Sequence, residues 1–513
     1  MGAGTFSIGQ SNYAADELIV KTSGISATDI SEIHGFLGLQ PFDIESFDDS
    51  GSLGLEKWTV SFPVLFEDEH GQEVQLHNIL EVLSTVKQKV DGNNDSDFGL
   101  NYDLEIFEPA ESSIYGPDGF DPLPYCNEAY DLPAGENPVH IAIIDSGMNP
   151  ELFADSPSIN EGVHYNIVLD RFGNIFDAHG HGTLITSIID NLLQASEAEN
   201  ATLSMYQIGD DNGEMTLYHL VQAVHRVRED GADLLQLALG YIPHPLDESA
   251  FLHEALNLAA YEGVLPVIAA GNGSINTDTT AYYPAGFPLE FALTVAGTDC
   301  TDQLATFSNF GLNTIALAAP AEDVLGLSPA GDYYLSSGTS QASALITASA
   351  AILATHLPEP RLVACAMQLA VEPLSTLSDK VRTGGVFHDL YLAYDWLMNQ
   401  DDCSGGAGGS LLSVDKKPMD VAVTTLEPSM QLSPNPSTGD LTILVNTAQM
   451  NQGQLRLYSL TGERIDQMEV ALEKGSNRID YQLPQAGISN GTYILTLQTA
   501  EQFYQQKVVF TGY

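Results

Sequence analysis

The first hundred residues switch repeatedly between the two periods that side-chain geometry allows. Glu17-Leu18-Ile19-Val20-Lys21 predicts a strand, and from about Thr28 the apolar Ile30, Ile33 and Phe36-Leu37 recur at helical spacing. Lys57 to Phe62 alternates at period two, Ile79-Leu80, Val82-Leu83 and Val86 share one helical face, and Leu100, Tyr102, Leu104 and Ile106 alternate again. The order β-α-β-β-α-β is ferredoxin-like, so residues 14–110 are expected to form a small α+β unit. Asp91 to Asp97 looks superficially like a calcium loop. Ser96 stands where its glycine belongs and Tyr102 where its bidentate Glu belongs, so it reads as a solvated loop.

Past the Pro- and Gly-containing residues 109–138 the pattern changes. Val139 to Ile144, Leu234 to Leu239, Val264 to Ala269 and Ala292 to Ala296 are near-continuous apolar runs, as in strands covered on both faces. Helical patterns lie between them, at Leu217 to Arg228 and Phe251 to Tyr261, which predicts an α/β unit with a parallel sheet and helices on both faces over residues 125–400. Cys403-Ser404-Gly405-Gly406-Ala407-Gly408-Gly409-Ser410 marks a linker over 401–426. Short alternating runs such as Leu455 to Tyr458 and Tyr493 to Leu497 predict an all-β sandwich over 427–513.

Charge narrows the partners. Lys and Arg number 17 against 69 Asp and Glu, a formal net charge of −52. Such a polyanion is repelled by phosphate backbones, which excludes nucleic acid. No apolar run approaches the length of a membrane span, and the opening Met1-Gly2-Ala3-Gly4-Thr5 lacks a basic region and an apolar core, so no signal peptide is visible. Cys126, Cys300, Cys365 and Cys403 form no CxxC or Cys/His cluster; three disulfide pairings stay open.

Candidate chemistry gathers in the middle unit. Asp145 directly follows the run Val139 to Ile144, at the carboxyl end of a predicted strand, where open α/β sheets place their sites. His181 lies in Gly180-His181-Gly182-Thr183 before the apolar run Leu184, Ile185, Ile188 and Ile189, which sets an imidazole at a helix start; His179 is the alternative base, without the Gly-Thr continuation. Ser340, in Gly338-Thr339-Ser340-Gln341-Ala342-Ser343, opens a small-residue helix through Ala354, where a hydroxyl gains from the positive helix end. Ala269-Ala270-Gly271-Asn272-Gly273 closes a buried strand with an amide able to serve as an oxyanion donor. The chain order Asp, His, Ser is one of the three known orders of such a triad.

The segments Ile143 to Gly147, His181 to Thr183, Ala270 to Asn272 and Gly338 to Ser343 resemble the four signatures of subtilisin-like serine proteases (subtilases, family S8) over roughly residues 125–400. The resemblance implies Asp145 orienting the imidazole, His181 as general base and acid, Ser340 as nucleophile and Asn272 in the oxyanion hole. It implies an extended peptide substrate paired with Ala238-Leu239-Gly240, and Ala269, Ala270 and Gly271 bordering the first specificity pocket. No cofactor is expected for the chemistry; family members often hold structural calcium, for which no ligand set can be read. The chain departs from the family at Leu184, where a second His is usual, at Ala344 for Pro, at Gln341 for Met and at Ala238 for Ser.

The N-terminal unit resembles the propeptide of these proteases, a chaperone and inhibitor cut by the enzyme itself within Glu108 to Pro138; its alternative is a permanent accessory domain. Leu432-Ser433-Pro434-Asn435-Pro436-Ser437-Thr438-Gly439, Leu457 to Gly462 and Gly491-Thr492-Tyr493 resemble the sorting domain of type IX secretion substrates, the alternative being a carbohydrate- or protein-binding sandwich. The expectation is a self-processing endopeptidase, secreted or on the cell surface, whose partners are a peptide or protein substrate, its own propeptide and the secretion machinery. The second expectation is a non-catalytic binding protein on the same fold.

Overall fold

The computed structural model describes residues 12–106, 113–114, 132, 134–399 and 430–510, apart from stretches at 23–24, 48–53, 68–72, 90–96, 160–163, 246, 248–249, 290, 434–439, 448–450, 460–463, 473–474, 483–490 and 499–502. The loop expected at 91–96 lies outside the described residues. The chain divides into two compact units, Met1–Leu412 and Ser413–Tyr513.

The first unit opens with β1 (Tyr13–Lys21), α1 (Ala27–Leu37), β2 (Ile44–Phe47), β3 (Leu55–Thr59), β4 (Val64–Glu67), β5 (Glu73–Leu76), α2 (Ile79–Lys89) and β6 (Phe98–Tyr102). Its antiparallel sheet runs β2-β3-β1-β6, the ferredoxin-like order, and β4 and β5 form a hairpin that the period pattern did not announce. Local chemistry sets α1: the Ser26 hydroxyl accepts from Asp29 N–H, and Gly38 ends the helix at φ +68°, which a residue without Cβ adopts freely. The alternation from Leu100 to Ile106 is not one strand of this sheet. Sheet pairing stops at Tyr102, and the next residues leave for the neighbouring domain.

There follow β7 (Ser113–Ile114), β8 (Val139–Asp145), β9 (Tyr165–Asn166), β10 (Arg171–Phe172), α3 (His181–Ala195), β11 (Ala201–Gln207), α4 (Leu217–Glu229), β12 (Leu234–Leu237), α5 (Phe251–Tyr261), β13 (Leu265–Ala269), β14 (Leu293–Thr298), β15 (Leu317–Pro320), β16 (Val324–Leu327), β17 (Tyr333–Ser336), α6 (Thr339–His356), α7 (Pro360–Leu369), β18 (Val371–Pro373), β19 (Gly385–Phe387) and α8 (Leu390–Asn399). Ten strands form one sheet in the order β10-β9-β11-β8-β12-β13-β14-β15-β19-β18, parallel from β9 through β19. Alternate residues of β8 feed opposite faces: Ala142 and Ile144 join one core, Ile141 and Ile143 the other. The first core runs on into the N-terminal sheet through Leu18, Trp58, Phe98 and Leu100. Polar Thr202, Ser204 and Gln207 hid β11 from the apolar pattern, although it pairs with all of β8. Chain order reverses beside β8, so the carboxyl end of that strand, at Asp145, opens on the crevice where such sheets bind ligands. The α6 helix is Ala-, Ser- and Thr-rich and buried from Thr339 to Thr355, a helix sheathed on all sides by protein.

The second unit holds β20 (Met430–Ser433), β21 (Asp440–Thr447), β22 (Asn451–Ser459), β23 (Arg464–Leu472), β24 (Gly475–Gln482), β25 (Gly491–Gln498) and β26 (Phe503–Phe510). They form a three-stranded sheet, β20-β21-β24, and a four-stranded one, β23-β22-β25-β26. Leu441, Ile443 and Val445 of the first share one core with Leu455, Leu457, Leu495 and Leu497 of the second.

Candidate active site

Asp145 is the last residue of β8 and fully buried, and His181 is the first of α3. His181 Nδ1 lies 2.9 Å from both Asp145 oxygens. The carboxylate only accepts, so Nδ1 carries a proton, and in the neutral imidazole it is Nε2 that keeps the lone pair. Gly182 makes the approach of α3 to β8 feasible: a Cβ there would strike the Gly147 carbonyl and come to 3.1 Å from Asp145 Cβ. Among the described residues Nε2 has no hydrogen-bond partner, so the Ser340 hydroxyl is not yet engaged. Such bonds are commonly long without a bound ligand. His179 contacts the His181 ring edge-on at 6.4 Å, and it is His181 that holds the carboxylate.

Ser340 is the second residue of α6, 4% exposed, with its hydroxyl at the positive helix end. Asn272 follows β13 by three residues. Its Oδ1 accepts from Thr339 N–H at 2.9 Å and Thr339 Oγ1–H at 2.8 Å, which turns Nδ2 toward Gly338, where an added Cβ would meet it at 3.0 Å. The amide therefore turns its donor end toward the segment that leads into Ser340. Ala269, Ala270 and Gly271 are buried along the way to Asn272, and Gly271 has φ +97° in a spot where a Cβ would collide with the Asn309 amide.

The supporting roles of three residues escaped the sequence reading. Asp177, 2% exposed, accepts from Ser146 Oγ–H at 2.8 Å, from the N–H groups of His179, Gly180 and Thr183 at 3.1, 2.6 and 2.8 Å, and from Thr183 Oγ1–H at 2.7 Å. It thereby fastens the first turn of α3, and Ser146 links it to Asp145. Asn309 braces the Asn272 loop: its Nδ2–H donates to the Ala270 carbonyl and its Oδ1 accepts from Gly273 and Ile275 N–H. Thr339 ties Gly271 N–H and Asn272 together. An Asp four residues before His181 in a Gly-containing stretch was the available signal for the first.

The chain's own residues fill the neighbouring cleft. Glu105 exchanges two backbone bonds with Gly240, at 2.8 and 3.2 Å, while Leu104 N–H donates to the Met215 carbonyl at 2.9 Å on the opposite wall. Ala238, Leu239 and Gly240 are buried beneath it. Asn101 Oδ1 accepts Tyr218 N–H in the first turn of α4, and Lys21 meets Glu254 at 2.7 Å. Burial raises the Asp103 and Glu105 carboxyls, with Glu214 and Glu17 adding to Asp103. No group of three or more His, Cys, Asp and Glu able to hold a metal occurs among the described residues, so no calcium ligands are assigned.

Residues 136–371 match the family model of the Subtilase family, Peptidase S8. These residues are a subtilase domain. Residues 431–511 match the Secretion system C-terminal sorting domain. The "Thermophilic serine proteinase" of Bacillus sp. (strain AK1) is 30% identical over 255 residues, 47% of this chain and 57% of that protein. The "Minor extracellular protease Epr" of Bacillus subtilis is 31% identical over 228 residues, 44% of this chain, and Thermitase of Thermoactinomyces vulgaris is 27% identical over 237 residues, 45% of this chain and 79% of that protein. The chain thus spans 57% and 33% of the lengths of the first two relatives. The fold is shared with the crystal structure of the epidermin leader peptide processing serine protease of Staphylococcus aureus, at a TM-score of 0.53 and 16% identity, over 75% of this chain and all of that one. A sorting domain implies secretion or cell-surface display. No helix of the described residues is long and apolar enough to cross a membrane.

Proposed function

We propose that the chain is a secreted serine endopeptidase made as a self-processing zymogen and exported by type IX secretion. The buried Asp145 carboxylate on His181 Nδ1 carries this reading, because it fixes the imidazole with Nε2 left without a partner among the described residues and able to accept. Nε2 takes the Ser340 hydroxyl proton as Oγ attacks the substrate carbonyl carbon. The carbonyl oxygen becomes an oxyanion, met by Asn272 Nδ2–H and Ser340 N–H. His181 then returns the proton to the leaving amine, the C–N bond breaks, and an acyl-enzyme on Ser340 remains; water, deprotonated by the same nitrogen, hydrolyses it.

Residues 103–105 support the zymogen half of the reading: they lie in the cleft as a substrate strand would, and residues 14–110 act as the propeptide. Three of the departures from the family lie in packing positions, Leu184, Ala344 and Ala238 all being core residues. Intact-mass analysis with a serine-directed fluorophosphonate tests the reading. Wild type is expected to lose its N-terminal segment and gain the adduct on Ser340, and Ser340→Ala to stay full length and unlabelled. Matured, folded wild type that takes no label would make the domain a binding scaffold.

A further inference from the structure

Three residues before Glu105, the N-terminal segment buries a tyrosine in the wall of the same cleft. Tyr102 is 1% exposed, and its ring stacks on Tyr241 with centroids 4.6 Å apart and planes at 24°. Its hydroxyl accepts from His244 N–H at 2.9 Å and donates to the Asp247 carboxylate. Tyr241 directly follows Gly240, the residue that pairs with Glu105, so strand pairing and ring stacking belong to one continuous wall. That wall is braced from behind. Tyr241 and Tyr283 exchange backbone bonds at 2.8 and 2.9 Å, their rings meet edge-on at 5.9 Å, and Tyr283 stacks on Phe287 at 4.1 Å, which stacks on His253 at 4.9 Å.

Tyr13 of the N-terminal segment also meets the ring, edge-on at 6.3 Å, and Asp247 also accepts Leu100 N–H at 2.9 Å, but the Tyr241 ring, the His244 amide and the Asp247 carboxylate belong to the subtilase domain and stay when the N-terminal segment leaves. We propose that this pocket is a tyrosine subsite of the substrate cleft, which selects peptides carrying Tyr three residues before the one that pairs with Gly240. The inference rests on the protease reading of the same cleft. The ring supplies stacking, which any aromatic side chain satisfies. The paired donor and acceptor at the hydroxyl discriminate further, because a side chain lacking the hydroxyl leaves both unpaired in a dry site.

The test uses the matured protein and quenched peptides with the sequence of residues 98–112, differing only in Tyr, Phe or Ala at the Tyr102 position. KM is expected to rise a few-fold for Phe and about tenfold for Ala, with kcat little changed, since the pocket lies away from the reacting carbonyl. Asp247→Asn is expected to erase the difference between Tyr and Phe, and Tyr241→Ala to raise KM for the Tyr peptide to that of the Ala peptide. The peptide series stands whether or not those variants fold. Peptides bound but not cut are ranked by their protection of Ser340 from the fluorophosphonate, with the same order expected. Equal KM or equal protection for all three peptides overturns the subsite and leaves the protease reading intact. No cleavage with Ser340 unlabelled overturns both.

Discussion

At the scale of single residues, the demand that the proposed mechanism puts on Asp145 is to fix which imidazole nitrogen bears the proton. An amide in its place offers a donor where an acceptor is needed, so Asp145→Asn is expected to lower kcat by about four orders of magnitude with little effect on folding, as steady-state kinetics will read. Asn272→Ala removes one oxyanion donor and is expected to cost kcat about 100- to 1,000-fold. Asp177 acts through others. Asp177→Ala strips an acceptor from three backbone N–H groups and two hydroxyls, so a loss of at least about 2 kcal/mol on thermal unfolding is expected, with kcat falling more than KM rises as the first turn of α3 loosens. The proposed site residues Asp145, His181, Asn272 and Ser340 stood out in the sequence because each sits where an apolar run ends or a helix begins. Asn309 did not, since its partners are backbone groups some 35 residues earlier in the chain, and nothing in its own neighbourhood names them.

Among the elements, α4 carries the hold on the N-terminal segment. His219, beside Tyr218 on that helix, is pushed down to about 4, by burial first and by Lys57 of the segment second, with Glu45 and Asp210 pulling the other way. With the segment off, the imidazole moves back toward the ordinary 6.5. The docked state therefore binds fewer protons: docking is at full strength above pH 6.5 and weakens as pH falls from 6.5 toward 4. Asp103 and Glu105, raised by burial, take up protons on docking and oppose this trend in the carboxylate range. Comparison with His219→Gln isolates the imidazole. Between pH 7.5 and 5.5 the cleaved wild-type segment is expected to dissociate faster as pH falls, and the variant to show a much flatter response, read by retention of the segment on size-exclusion chromatography. The helices α4 and α5 were visible as amphipathic patterns, whereas the register between Glu105 and Gly240 was not, because it joins two segments that share no local pattern.

For the whole molecule, the sorting-domain match predicts that a chain lacking residues 427–513 is made and folds but is not exported, as fractionation of culture supernatant and cells will show. Cys300 and Cys365 are both in disulfides, which fits an oxidising destination; Cys365→Ser is expected to cost about 2–4 kcal/mol on unfolding. Composition announced the polyanion, but the cysteines alone left every pairing open.

The gap between Met215 and Gly240 is one strand wide, and in the structure it is satisfied from both sides by backbone rather than by any particular side chain. A helix is about 10 Å across and keeps its amides to itself, so it can neither fit that gap nor pair with its walls. Whatever replaces the N-terminal segment must first surrender its own hydrogen bonds over several consecutive residues. For the proposed protease, the shape of the opening is thus expected to sort by conformation before any residue is read, admitting frayed termini, loops and unfolded chains and sparing compact domains.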